Sequence, residues 1–374
     1  MPPVTSHPRT KQRVLGIVCV CILAVTAVAG LRPFDPSPKN NVTWLPDRDG
    51  LRFGALGIAL SSSPLVWPTT SSKSSTFSLE ISLRPDNNDR TNNILTFYTS
   101  EAPQRFRLIQ SSDSTILFYR DFRNEHREME IEETLPPGIP VLIAITAGPR
   151  GTAVYLNGVL KRRSTRLQLS RADLSGQIVL GTSPLAAETW SGDIQAIALY
   201  AAELTPEQVS NHFDARSRGD LSTPPPDEAL VALYSFSERA GNVARDRLGQ
   251  APDLSIPASF QVPHKRFLTP PSRVFASSRS FLRDLVINVA GFIVLGFFFC
   301  LYRAATGSGA KSAALFAIAV GASISLSIET LQMFLPTRTS SIVDLAANTL
   351  GAVVGAFLCA TIQPHRPRGI DTTI

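Results

Sequence analysis

The 374-residue chain is poor in charge and has only four cysteines. Asp, Glu, Lys and Arg together make up 18% of it, and the net charge of +6 is scattered rather than gathered into a basic stripe with aromatic residues. Such a stripe is the footprint of nucleic-acid binding, so no nucleic-acid partner is predicted. The cysteines all lie in apolar runs, and this excludes a disulfide framework from the long middle of the chain. They are Cys19, Cys21, Cys300 and Cys359.

The middle of the chain also lacks the patterns of a catalytic or metal site. It has no paired-carboxylate motif of the kind that hydrolyses glycosides. Its nearest approach to a cation-binding loop is the run Asp86, Asn87, Asn88 and Asp89, which we interpret as a solvated turn. No metal and no cofactor is predicted.

Apolar runs long enough to cross a bilayer are present, and there are four of them. They cover Val14–Leu31, Asp284–Tyr302, Ser312–Leu335 and Ile342–Ile362. Basic flanks place the N-terminus and the C-terminal tail in the cytoplasm, and the middle of the chain outside, in a multi-pass protein of the cell membrane. The basic connector 263–283 runs against that rule. The alternative for the first run is a cleaved signal peptide ending near Ala27–Ala29.

The middle of the chain has the pattern of an all-β domain. Phe77–Leu83 alternates between apolar and polar residues with period two, which is typical of a half-buried strand. Asn157-Gly158 is a strong hairpin signal, and Thr205 with Pro206 begins a short helix to Phe213. Further short strands are predicted at Ile94–Tyr98, Phe106–Ile109, Thr115–Tyr119, Val141–Ala147, Ala153–Leu156 and Gln177–Leu180. Trp67 and Trp190 could be sugar-stacking platforms, but core packing is the favoured role.

The predicted architecture is multidomain: an all-β jelly-roll sandwich inserted into a transmembrane bundle of about four helices. Its expected parts are a cytoplasmic N-terminus with the first span (1–32), a linker (33–43), the extracytoplasmic sandwich (44–262), the basic connector (263–283), spans two to four (284–362) and a cytoplasmic tail (363–374). Residues Glu228–Val262 are expected to add strands that complete or flank the sandwich.

Several segments together resemble a laminin G/concanavalin A-like jelly roll. They are Phe77–Pro85, Val154–Gly158, Leu180–Gly181, Trp190–Ile194, Ile197–Tyr200 and Leu204–Gln208. The resemblance covers residues 44–213. It implies saccharide or protein binding only by analogy, because one fold hosts many functions.

Polar residues interrupt each of the last three apolar runs, although a carboxylate within a bilayer costs about 2.5–3.5 kcal/mol. They are the pairs Asp284 and Asn288, Glu329 and Gln332, and Asp344 and Asn348, with Arg338 in the loop between the last two runs. Members of a pair are three or four apart, so they share a helix face. The predicted topology puts all seven side chains near the outer surface, where they would form one polar pocket.

These residues, with their spacing, resemble the VanZ-like family. The pattern is Asp284-x3-Asn288-x3-Phe292-x2-Leu295-Gly296, then Glu329-x2-Gln332, Arg338, and Asp344-x3-Asn348-x2-Gly351-x3-Gly355. Val294 stands where the family usually has proline. The family is associated with glycopeptide antibiotic resistance in some members, and the resemblance supplies no reaction.

Three interpretations follow. The first is an envelope membrane protein, whose partners are the bilayer and a saccharide or lipid-linked envelope component. The second is an intramembrane enzyme using Glu329, Asp344 and Arg338, although no His, Ser or Cys nucleophile accompanies them. The third is a structural anchor whose polar groups bond one another. Helix N-termini favour Asp284 and Asp344, whereas Glu329, near a helix C-terminus, is left unexplained.

Overall fold

The computed structural model describes residues 8–67, 75–86, 92–102, 105–111, 116–122, 125–132, 135–218, 229–270 and 279–362. They form two compact units. The helical unit comprises Met1–Pro36 and Arg266–Ile374, and the β unit comprises Ser37–Lys265.

The helical unit contains the four long helices and the β unit contains the strands and one short helix. The helices are α1 (Pro8–Leu31), α2 (Pro206–Ser217), α3 (Arg279–Ala305), α4 (Ala310–Gln332) and α5 (Ile342–Ile362). The strands are β1 (Val42–Trp44), β2 (Leu51–Phe53), β3 (Ala59–Ser61), β4 (Phe77–Pro85), β5 (Asn92–Tyr98), β6 (Phe106–Gln110), β7 (Ile116–Phe122), β8 (Glu125–Ile131), β9 (Val141–Gly148), β10 (Gly151–Leu156), β11 (Val159–Ser164), β12 (Gln177–Leu180), β13 (Gly192–Tyr200), β14 (Leu230–Tyr234), β15 (Val243–Ala244) and β16 (Leu254–Ser255).

The β unit is a sandwich of two antiparallel eight-stranded sheets, as the sequence predicts. One sheet has the order β1-β2-β13-β4-β9-β10-β11, and β14 also pairs with β13. The other has the order β15-β16-β3-β12-β5-β6-β7-β8. Apolar side chains from both sheets form a single core, because alternate residues of each strand point inward.

Trp190 lies in that core and is fully buried, so the predicted packing role is confirmed. Its indole Nε1 donates a hydrogen bond to Gln110 Oε1 over 2.7 Å, which satisfies the polar end of the ring. Trp67 is partly buried against the core and packs on Phe77. The guanidinium carbon of Arg171 lies 5.6 Å from its ring centroid. The described contacts therefore give both tryptophans packing roles.

Local turn and cap signals in the sequence are also confirmed. Asn157 (φ 51°) and Gly158 (φ 79°) connect β10 to β11, and both adopt the left-handed conformation that this two-residue turn requires. Thr205 caps α2 in a capping box with Gln208. The helix continues to Ser217, four residues beyond the predicted end.

Helix α2 is held on its sheet by a buried carboxylate, Glu80 of β4. This carboxylate accepts a hydrogen bond from the Tyr200 hydroxyl over 3.1 Å, and its other oxygen is 2.9 Å from His212 Nδ1. The Arg216 guanidinium lies 3.5 Å away. The Glu80 carboxylate is fully buried, and its hydrogen-bonding and charged partners come from both the sheet and the helix.

The strands that follow α2 belong to the sandwich, as expected for residues 228–262. β14 and β2 both pair with the same edge of β13. β2 pairs with the beginning of β13, and β14 pairs with its end. β15 and β16 extend the second sheet through β3. The last strands of the β unit therefore contribute to both of its sheets.

The helices α1, α3, α4 and α5 are long and apolar enough to cross a membrane. α3 and α5 approach most closely at glycines of α5. A Cβ added at Gly355 would meet the Ile293 carbonyl and the Phe297 nitrogen, and one at Gly351 would meet the Val289 carbonyl. Small residues allow such close backbone approach within a bilayer.

One sequence expectation about α3 is wrong. The sequence predicts Asp284 at the N-terminus of the span. The helix begins five residues earlier, at Arg279, and its first turn contains no acidic residue. Residues 279–283 already belong to the helix, so the helix dipole does not account for Asp284. Asp344, in contrast, lies in the first turn of α5, as expected.

Candidate functional site

The predicted polar residues gather at one end of the helical unit. This end contains the C-terminal part of α4, the N-terminal parts of α3 and α5, and the loop between α4 and α5. The C-terminal end of α1 is also here, because Gln332 Nε2 of α4 donates a hydrogen bond to the Gly30 carbonyl over 2.8 Å. We call this region the charged end of the helical unit.

Glu329 connects two helices at the charged end. It is 1% exposed, and its Oε2 accepts a hydrogen bond from the Ser341 backbone nitrogen over 2.7 Å. The Ser340 hydroxyl is also within its reach. Ser341 directly precedes α5, so the Glu329 carboxylate lies at the positive end of that helix dipole. A negative charge here is unfavourable at the C-terminus of α4 but favourable at the N-terminus of α5. The contact with α5 therefore accounts for a carboxylate at this position.

Ser341 is the N-cap of α5 and was not predicted as a site residue. Its hydroxyl lies 3.2 Å from the Val343 nitrogen and 3.3 Å from the Asp344 nitrogen. The pattern Ser341-x-x-Asp344 is a capping-box signature, in which the acidic residue would accept the N-cap N–H. Here Glu329 accepts that N–H instead. The capping pattern therefore indicates Ser341 as the N-cap. It does not indicate that Glu329 of α4, rather than Asp344, accepts the Ser341 N–H.

Asp344 is directed toward α3. It interacts with the Asn288 side chain and lies close enough to Asp284 for the two carboxylates to repel. The Asp284 side chain is 63% exposed and lies 3.6 Å from Arg283 Nε. The structure therefore brings Asp284, Asn288 and Asp344 together, with Asp284 at the exposed side.

Arg338 supplies the positive charge of this cluster. It attracts both Glu329 and Asp344 electrostatically. Its Nε is buried and has no hydrogen-bond partner among the described residues. The loop bearing Arg338 thus holds one arginine between two carboxylates and leaves a buried donor for which the described chain provides no acceptor.

The other two predicted residues hold helices together. Gln332 bonds to α1 through Gly30. Asn348 Nδ2 donates to the Ser325 hydroxyl of α4 over 3.0 Å, and both residues are buried. Asn348 Oδ1 accepts no hydrogen bond within the described part of the chain. These contacts make Gln332 and Asn348 interhelical links beside the charged cluster rather than members of it.

A short strap, residues 266–270, lies along the loop that carries Arg338. The Leu268 nitrogen donates to the Ser340 hydroxyl over 3.1 Å, and the Thr269 nitrogen donates to the Ser340 carbonyl over 2.8 Å. The Ile342 nitrogen donates to the Thr269 carbonyl over 3.3 Å. The strap directly follows Lys265, the last residue of the β unit. The sequence predicts only a connector here, because the strap pairs with a segment about 70 residues away in the chain.

Asp193 and Glu188 of the β unit have pKa values that are shifted from their usual range. Burial tends to raise the pKa of Asp193, but hydrogen bonds from Arg52 and Arg84 outweigh it and hold this pKa below its usual value. Arg48 Nη2 lies 3.0 Å from the same carboxylate. Burial raises the pKa of Glu188, although Arg107 and an Asn93 hydrogen bond oppose the shift. Both groups are tied to neighbouring strands and have structural partners.

The predicted solvated turn at 86–89 is described only in part. Asp86 accepts a hydrogen bond from Arg52 over 2.9 Å, while Asn87, Asn88 and Asp89 lie outside the described residues. Within the described ranges no group of three or more His, Cys, Asp and Glu residues is arranged to hold a metal ion.

Two family models match the chain. Residues 61–210 match the concanavalin A-like lectin/glucanases superfamily. Residues 230–363 match VanZ/LLP1. The chain joins a concanavalin A-like domain to a VanZ-like membrane domain. It is a multi-pass membrane protein, and both resemblances expected from the sequence are confirmed. The VanZ/LLP1 match begins at the first residue of β14, so it includes strands that the structure assigns to the concanavalin A-like sandwich.

No curated protein matches the chain. Solved structures do resemble it, at low sequence identity. One, from Bacteroides ovatus ATCC 8483, is described as a candidate carbohydrate-binding protein: identity is 14%, coverage 55% of this chain and 61% of that one, and the TM-score 0.38. A heptameric SAP-like pentraxin from Limulus polyphemus has 14% identity, coverage of 59% and 93%, and a TM-score of 0.36. The binding domain of botulinum neurotoxin DC has 14% identity, coverage of 47% of this chain and 46% of that one, and a TM-score of 0.35.

Proposed function

We propose that this protein binds an envelope saccharide through its concanavalin A-like domain and holds a lipid-linked form of it at the charged end of its VanZ-like domain. The observation that carries the proposal is where the cluster lies. Glu329, Arg338 and Asp344 meet at the end of the helical unit from which both chain connections to the β unit leave, after Leu31 and at the strap. A lipid-linked saccharide has one part that suits a lectin-like fold and another that suits a membrane domain.

The chemistry of the charged end suits such a ligand. Carboxylates accept hydrogen bonds from sugar hydroxyls, and a guanidinium binds phosphate through paired N–H groups. Arg338 has a buried Nε donor for which no acceptor is found among the described residues, and a phosphate oxygen admitted to the cluster would satisfy this donor. The family model of the β unit names lectins and glucanases, which supports saccharide binding there.

The proposed topology places the β unit and the charged end outside the cell. Lys11 and Arg13 precede the first span, and Arg303 and Lys311 flank the α3–α4 turn. Positive residues favour the cytoplasmic side. In this arrangement the first helix stays part of the bundle, where Gly30 packs against Ile328 and accepts the Gln332 hydrogen bond.

Binding by the full-length protein in lipid nanodiscs tests the saccharide half of the proposal. The nanodiscs are applied to a glycan array and to purified bacterial cell-wall sacculi, with empty nanodiscs as the control. We expect one class of envelope saccharide to be enriched. An array and sacculi that both bind no more protein than the empty-disc background would contradict the proposal.

A second arm tests the membrane half with an added polyprenyl-phosphate-linked saccharide, measured by native mass spectrometry. Arg338→Gln is expected to lose its retention while keeping glycan capture by the β unit. The exposed Arg283→Gln is the matched control and is expected to keep both. Equal retention in the two variants would sink this half. A changed mass of the added lipid would instead favour the enzyme interpretation, in which Glu329 and Asp344 take part in proton transfer.

Glycopeptide susceptibility is a separate extension of the proposal, based on the association of some VanZ-like proteins with resistance. Cells that express the protein are expected to tolerate a higher glycopeptide concentration than cells that express Arg338→Gln. Identical inhibitory concentrations would remove resistance from the proposed role without affecting saccharide binding.

A further inference from the structure

A groove of about 660 Å³ lies between α1 and α3. Its walls are largely apolar and include Val20, Leu23 and Phe299, and its polar lining includes Arg13 and Tyr302. Gly16 lies on the α1 side of the groove, where a Cβ would be 3.5 Å from the Tyr302 ring. The volume is within the range of small-molecule sites, about 300–1,000 Å³.

Helix geometry places the basic part of this groove away from the charged end. Arg13 precedes Gly30 by 17 residues on α1, and Tyr302 follows Asp284 by 18 residues on α3. At 1.5 Å per residue both separations are about 25 Å, close to the thickness of a bilayer core. Arg13 and Tyr302 therefore lie at the opposite end of the bundle from Glu329 and Asp344.

Charge at this opposite end has one sign. Among the described residues of the helical unit the carboxylates are Asp35, Asp284, Glu329 and Asp344, and all of them belong to the charged end or to the chain that leaves it. The groove end carries Lys11, Arg13, Arg303 and Lys311. Clusters of basic residues at a membrane surface attract anionic lipid, and an aromatic residue such as Tyr302 suits the depth of the headgroups.

We propose that this groove binds one anionic phospholipid, with an acyl chain between α1 and α3 and its phosphate on the Arg13 guanidinium. The apolar lining accommodates the chain, because the groove is open between two membrane-spanning helices. Arginine binds phosphate through two N–H groups at once, which an exposed lysine cannot reproduce. The lipid contacts both helices that line the groove, so it holds α1 against α3.

Native mass spectrometry of the detergent-purified full-length protein tests the site, with phosphatidylglycerol or phosphatidylcholine added stepwise. We expect one phosphatidylglycerol to bind about tenfold more tightly than phosphatidylcholine. Arg13→Gln should abolish the preference. Lys11→Gln, which removes an exposed charge outside the groove lining, should preserve it.

Filling the groove is the second arm. Gly16→Leu, or Val20→Trp if the first variant does not fold, should displace the bound lipid even though Arg13 remains. Equal affinity for the two lipids would overturn the proposal. Equal losses of the lipid preference in Arg13→Gln and Lys11→Gln would also overturn it, because they would indicate diffuse electrostatic attraction. A dimer in place of the bound lipid would overturn it as well, because it would assign the groove to a second copy of the chain.

Discussion

The Glu329 carboxylate accepts a hydrogen bond from the backbone nitrogen of Ser341 over 2.7 Å. That N–H belongs to the N-cap of α5, and in a capping box its partner would be Asp344. Because Glu329 of α4 takes this donor, Asp344 is free to interact with Asn288 of α3. One hydrogen bond thus joins α4 to α5 and releases a carboxylate for a contact with α3.

Removing the Glu329 carboxylate should destabilise the helical unit. In Glu329→Ala the Ser341 N–H loses its acceptor, which costs about 1–3 kcal/mol. Glu329→Gln keeps an acceptor oxygen but loses the charge at the α5 N-terminus, worth about 0.3–1 kcal/mol, and with it the attraction to Arg338. Thermal unfolding in detergent measures both. The exposed neighbour Thr330→Ala is the control, and a Glu329→Ala protein no less stable than this control would contradict the assignment.

Glu329 and Asp344 should be energetically coupled. In Glu329→Ala, Asp344 can turn to the Ser341 N–H and recover part of the lost stability. The double variant lacks this alternative, so it should lose more stability than the two single variants together, by about 0.5–1 kcal/mol. A double-mutant cycle gives the coupling energy directly. Additive effects would mean that Asp344 does not substitute for Glu329.

Alanine at Gly355 should weaken the contact between α3 and α5. The added Cβ would meet the backbone of α3 at Ile293 and Phe297, which cannot move without separating the helices. We expect a loss of about 1–3 kcal/mol. Gly291→Ala, on α3, meets no atom within 4 Å and is the matched control; it should be neutral or stabilise by about 0.5–1 kcal/mol. The opposite ranking in thermal unfolding would argue against this helix pairing.

Asp193 should make the β unit sensitive to acid. Its folded-state pKa is held below the unfolded value, so its contribution is complete above about pH 4 and disappears as the pH falls through the folded-state pKa. Asp193→Asn should cost about 2 kcal/mol at pH 7, because Arg52 and Arg84 lose a charged partner but remain partly exposed.

Tryptophan fluorescence reports this change specifically, since Trp44, Trp67 and Trp190 all belong to the β unit. The gap in stability between wild type and Asp193→Asn should narrow below pH 4, while the exposed Asp47→Asn control follows wild type throughout. A gap that stays constant down to pH 2 would show that Asp193 ionisation is not the source.

The sequence predicts the local features of both units well. Asn157-Gly158 requires left-handed backbone, Thr205 with Gln208 forms a capping box, and apolar runs of the length of a bilayer have few structural alternatives. Each of these signals depends on residues close together in the chain. The sandwich and the helix bundle follow from such signals, together with the resemblance in motif spacing.

Contacts between distant segments are what the sequence does not supply. It places Glu329 near a helix C-terminus, but only the structure brings the N-terminus of α5 to it. The pairing of Leu268 and Thr269 with Ser340 is equally non-local. The sequence spacing groups all seven polar residues in one pocket, whereas the contacts of Gln332 and Asn348 depend on which helix each one faces.

Labelling of single cysteines in intact cells tests the central claim that the β unit and the charged end act outside the cell. In a background without Cys19, Cys21, Cys300 and Cys359, three exposed positions are changed one at a time: Val159→Cys in the β unit, Thr339→Cys beside Arg338, and Gly309→Cys in the α3–α4 turn. The account predicts that a membrane-impermeant maleimide labels the first two in intact cells and the third only after permeabilisation. Labelling of Gly309→Cys in intact cells, with the other two protected, would contradict it.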